Sequence, residues 1–112
     1  MTLYDPDAPT GSGWWHWVVV NIPESVSGLA ADIGGAGSLP AGALQTRTDY
    51  GKPGFGGACP PVGNKPHHYI LTVQALDVDK LPLEAEASGA LAGFYINAHS
   101  LGKASITATY GR

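Results

Sequence analysis

The sequence is poor in charge. Only 13% of its 112 residues are Asp, Glu, Lys or Arg, about half the share of roughly 25% usual in globular chains. Six basic residues stand against nine acidic ones. No basic stripe is available for a nucleic-acid backbone, so nucleic acid is not an expected partner. There is one cysteine, Cys59. An intramolecular disulfide is therefore excluded, and a zinc site would need mostly other ligands. No apolar run approaches about 18 residues, so no membrane span is expected. No basic n-region followed by an apolar stretch opens the chain. That reads as a cytoplasmic protein, or a periplasmic one if the start is truncated. Internal repeats and charged tails are also missing.

What the chain has in plenty is punctuation. Sixteen glycines and nine prolines make almost a quarter of it, without a period. Such a share can mark disorder. The 44% hydrophobic and 9% aromatic content argues instead for a packed core. Short strands joined by tight turns account for both observations. The length suits one domain, residues 1–112.

"MTLYD" reads as the end of a strand. "WWHWVVVNIP" follows as the strongest strand candidate, aromatic and β-branched until Pro23 stops it. Strict alternation would place Trp14, His16, Val18 and Val20 on one face, and Trp15, Trp17 and Val19 on the other. Both faces are apolar, which predicts an interior strand. A short helical turn is expected around 29–33, and an edge strand within "GALQTRTDYG". "HHYILTVQALD" is a half-buried strand with Tyr69, Leu71, Val73 and Ala75 on one face. Residues 81–99 read as a helix with an apolar stripe of Ala87, Ala90, Leu91 and Phe94. Gly89 and Gly93 should weaken it by up to about 1 kcal/mol each. "KASITATYG" alternates as a last strand. The sum is a mostly-β antiparallel sandwich with one late helix.

The residues able to carry chemistry have plain explanations one by one. Asp5 and Asp7, beside prolines, suit turn chemistry. His16 suits a satisfied position in an aromatic strand, and His67 an exposed strand start. His68 should be solvated, and His99 should serve a helix C-terminus. Cys59 could act as a nucleophile with His16 or His67 as base, but two prolines follow it and no helix N-terminus is in view to activate it. "GKPGFGG" lacks the spacing and the Lys-Ser/Thr pair of a phosphate loop. Only the combination of Asp5, Asp7, His16 and His67 points to a site.

That combination resembles a known family. "DPDAPTGSGWWHWVVVNIP" together with "GNKPHHYILTVQALD" is similar to the phosphatidylethanolamine-binding proteins, the bacterial Raf-kinase-inhibitor-like branch above all. The resemblance implies a Greek-key β-sandwich. It also implies a pocket formed by Asp5, Asp7, His16, His67 and Tyr69, with Trp14 and the 54–61 loop, Pro60 included, at its mouth. The implied ligands are small anions, namely phosphate, a phosphorylated head group or acetate. Modulation of a protein partner such as a kinase or protease is implied for some relatives. No cofactor or metal is implied.

The leading expectation is thus a non-enzymatic binding module. The alternatives are a metal-dependent or acid/base hydrolase built on the Asp/His cluster, and a fragment without function of its own. The resemblance also implies further strands ahead of Asp5, where this chain has four residues. Sheet edges would then lie unpaired, favouring a homodimer and marginal stability as a monomer. Charged imidazoles on His16 and His67, steadied by the carboxylates, should hold the anion. Replacing His67 with Ala should abolish phosphate binding without unfolding. A cis peptide bond is expected at Asp5–Pro6 or Ala8–Pro9.

Overall fold

The computed structural model describes residues 1–31, 33 and 38–112. Its described strands form one antiparallel sheet. They are β1 (Thr2–Asp5), β2 (Trp14–Val20), β3 (Leu44–Gln45), β4 (His67–Leu76) and β5 (Ser100–Tyr110), in the order β3-β2-β1-β4-β5. Among the described residues one helix, α1 (Gly89–Ala98), precedes β5. The mostly-β reading with one late helix holds, and β2 is an interior strand as its two apolar faces predict.

Strict alternation along β2 does not hold. Leu3 pairs with Trp17, whereas the next residue, Tyr4, pairs with Trp15. His16 is left without a cross-strand partner, the mark of a β-bulge. Its carbonyl instead accepts the Gly56 amide at 2.9 Å. Two faces are re-sorted as a result. Trp15 joins Val18 and Val20 against Leu81, Ala92 and Ile96. Trp14 and His16 meet Tyr50 on the other side, and Trp17 meets Phe55.

The helix is shorter than its sequence pattern predicts. Leu81 precedes a proline, which disfavours helical backbone, and 81–88 is taken up by two tight turns, Leu83 to Leu81 and Ala87 to Glu84. Ser88 then caps α1, its hydroxyl accepting the Leu91 amide at 3.1 Å. The buried stripe is Gly89, Ala92 and Ile96. Of the expected stripe, Ala87 is buried but lies ahead of the helix, while Ala90 is exposed and Leu91 and Phe94 are 45% and 70% exposed. Gly89 is more than a weak point of the helix. A Cβ there would stand 2.5 Å from the Trp15 indole, so the glycine allows the helix to lie on that ring.

Burial fades along β4. Tyr69 is buried, but Val73 is 53% exposed. β5 pairs with β4 along its length and is exposed throughout. The expected turn around 29–33 falls partly outside the described residues; a bond from the Ile33 amide to the Ala30 carbonyl is present. Among the described residues no helix is long and apolar enough to cross a membrane.

Candidate functional site

The turn after β1 is closed by a side chain. Asp5 Oδ1 accepts the Asp7 amide at 2.7 Å, an Asx-turn, and the Thr10 amide reaches the Ala8 carbonyl at 2.7 Å. These bonds turn the chain without isomerisation: no cis peptide bond occurs among the described residues, so the cis expectation at Pro6 and Pro9 is corrected. Gly13 ends the turn at φ 72°, where a side chain would collide with the Tyr4 hydroxyl. Glycine meets both demands.

β1 and β4 are neighbours, and this brings the N-terminal turn to the start of β4. Asp5 Oδ2 lies 2.7 Å from His67 Nδ1, with both residues 3% exposed. A carboxylate can only accept, so Nδ1 carries the hydrogen. The Asn64 amide nitrogen lies 3.1 Å from Nε2 and donates to it. Both nitrogens of His67 are thereby engaged. Both Asp5 oxygens are engaged as well.

Asp7 goes elsewhere. It is exposed, and its Oδ2 accepts from the His68 amide and from His68 Nδ1, each at 2.7 Å. The bonds from His68, the backbone one first, hold its carboxyl below the usual carboxylate range. Asp7 is not part of the cleft wall. His68 is half-exposed but paired rather than simply solvated. His99 caps α1 and reaches Asp77 at 2.8 Å.

His16 is 3% exposed. Its Nδ1 lies 3.0 Å from the Gly56 carbonyl, which can only accept, so Nδ1 donates there. Nε2 has no protein partner among the described hydrogen bonds; it accepts in the neutral ring and donates in the charged one. Tyr50 and Tyr69 pack edge-on to the imidazole, at 5.6 and 5.3 Å between ring centres.

These groups surround a cleft of about 210 Å³. Asp5, Trp14, His16, Pro60, His67 and Tyr69 line it, as the sequence reading expects, together with Tyr50 and Cys59. Its volume falls short of the about 300–1,000 Å³ of drug-sized sites. Tyr69 is 7% exposed, and its hydroxyl has no hydrogen-bond partner. Burial, then Asp5 nearby, pushes its pKa up, so the hydroxyl keeps its proton. Trp14 Nε1 is also without a partner of good geometry, though the Tyr50 hydroxyl is close enough to feel it. Buried polar groups are rarely left so.

Gly56 falls in the 54–61 loop expected at the mouth, but Tyr50 and Asn64 escaped the sequence reading. Both lie between strands, where no periodicity marks a residue. Tyr50 is part of the "TDYG" turn and Asn64 sits three residues before His67; that local spacing is the only signal. Among the described residues no three His, Cys, Asp or Glu side chains converge as metal ligands.

The family model of the phosphatidylethanolamine-binding proteins matches residues 1–111. Escherichia coli YbcL is 55% identical over 112 residues, covering 98% of this chain and 61% of that protein. Escherichia coli YbhB is 55% identical over 111 residues, covering 98% of this chain and 70% of that protein. The chain thus spans less than two thirds of YbcL. The crystal structure of YbcL, described as a new member of the mammalian PEBP family, superimposes with a TM-score of 0.94 at 56% identity. The match covers 99% of this chain and 69% of that one. Whole-length similarity and a shared fold lead to one statement: the chain belongs to the phosphatidylethanolamine-binding protein family.

Proposed function

We propose that this chain is a non-catalytic module that binds a small anion, phosphate-bearing or carboxylate, in the cleft between the N-terminal turn and the start of β4. The observation that carries the reading is the buried, unpartnered hydroxyl of Tyr69 in the cleft wall. A buried donor without an acceptor costs about 1–3 kcal/mol, and an incoming anion supplies the acceptor. His16 Nε2 stands on the same wall and adds a second donor when the ring is charged. Asp5 and His67 hold the wall together rather than the ligand. The cleft volume suits a phosphate, an acetate or a phosphorylated head group.

The test removes one oxygen. Tyr69→Phe should weaken phosphate binding in calorimetry by about fivefold or more, the worth of one hydrogen bond of ~1 kcal/mol. The same change should leave thermal stability unaltered or raise it, because it deletes an unsatisfied polar group. Titrations with inorganic phosphate and with phosphoethanolamine separate the free anion from the head group. Unchanged affinity for both in Tyr69→Phe would sink the reading.

A further inference from the structure

Cys59 lines the cleft, is open to solvent, and has no part in the reading above. Its loop is fixed on both sides. Upstream, the Gly56 amide donates to the His16 carbonyl at 2.9 Å and the Tyr50 hydroxyl to the Gly57 carbonyl at 2.9 Å. Downstream, Arg112 Nε donates to the Pro60 carbonyl at 2.8 Å. Pro60 and Pro61 stiffen what remains. The thiol is thus held at the mouth of a small cavity, within electrostatic reach of Tyr69 and Tyr50. The unpartnered Tyr69 hydroxyl stands in the same wall.

We propose that Cys59 is a thiol-modification site that closes the anion cleft, reacting with small disulfides that carry a carboxylate. The inference rests on the cleft being an anion site. The carboxylate takes the acceptor position at Tyr69 and brings the disulfide to the thiol. The Cys59 thiol gives its proton to water, and the thiolate attacks one sulfur of the disulfide. A new S–S bond forms to Cys59 as the old one breaks. The second half leaves as a thiolate and takes up a proton. Cys59 is oxidised while the departing sulfur is reduced, so electrons balance. The attached half then fills a cavity of about 210 Å³ and leaves no place for phosphate. A free thiol reverses the step.

The test uses the intact chain. Glutathione disulfide should add one glutathione at Cys59 by mass spectrometry. The adduct should lose phosphate binding in calorimetry and regain it after dithiothreitol. Phosphate at about ten times its Kd should slow the reaction of Cys59 with anionic dithionitrobenzoate about tenfold, as site occupancy requires. Tyr69→Phe should narrow the rate advantage of that reagent over neutral dipyridyl disulfide. Cys59→Ser should bind phosphate and ignore glutathione disulfide. An adduct that binds phosphate as the free thiol does, or a reaction rate indifferent to phosphate, would overturn the proposal alone. Unmodified protein that binds no phosphate would overturn the anion reading and this proposal together.

Discussion

The two ends of β4 differ in burial. At its start, His67 and Tyr69 are 3% and 7% exposed, locked to Asp5 and packed on His16. Beyond the middle, Val73 is 53% exposed, and on the neighbouring β5 Ile106 is 71% exposed. Backbone pairing with β5 runs along the whole strand, with one register shift at the far end between Ala75 and Leu76. Pairing fixes register, but the hydrophobic contribution comes from apolar area that leaves water. The start of β4 gains it from the N-terminal turn and the 54–61 loop, whereas Val73 and Ile106 gain little, and the far end regains cover at Leu76, which packs against the core.

The sharpest way to break this contrast is one substitution at each end. His67→Ala strands the buried Asp5 carboxylate, and losing one partner of a buried pair costs about 3–5 kcal/mol. Ile106→Ser, on the exposed face, should stay within about 0.5 kcal/mol. Denaturant titration of both variants decides it, and equal losses would refute the contrast. This revises the expectation that His67→Ala leaves folding intact: a partner this buried cannot be removed as though it only met ligand. It also explains why Tyr69→Phe is the cleaner probe of binding.

The next comparison lies within α1. Gly89→Ala forces a methyl against Trp15 and should destabilise by about 1–3 kcal/mol. At Gly93 a Cβ would meet nothing within 4 Å, so Gly93→Ala should stabilise by up to about 1 kcal/mol. Melting curves that move in the same direction would show that the helix does not rest on the indole.

The smallest effect is at Asp7, outside the cleft. Its folded pKa is depressed, so its bonds to His68 favour the fold above the ordinary carboxylate range. That contribution fades as pH falls through the folded value. Asp7→Asn should therefore lower the melting temperature slightly at pH 7 and converge with the parent chain as the pH falls below the ordinary carboxylate range.

Much of this was legible from residue order. The aromatic, β-branched run at 14–20 and the alternating run from His67 announced their strands. The short edge strand at Leu44–Gln45 fell where expected. The resemblance placed Asp5, His16 and His67 at one cleft. What stayed hidden has physical causes. Alternation reports which residues share a face but not whether anything covers it, so the alternating run of β5 gave no sign that both its faces are bare. A bulge adds one residue without changing composition, so the facing of Trp15 was read wrongly. Asp7 carries the same motif as Asp5, yet which imidazole it reaches depends on pairing register. Asn64 and Tyr50 act from turns, where a side chain's reach depends on backbone dihedrals that no period encodes.

The extra residue at His16 makes β2 sensitive to length in a way its neighbours are not. Remove one codon between Trp14 and Trp17 and the strand falls back into phase with β1. An indole would then stand where the imidazole was, and the carbonyl that anchors Gly56 would be drawn into the ladder. A deletion scan through the N-terminal third should therefore show a narrow forbidden window at the aromatic cluster, set by geometry more than by the identity of the residue lost.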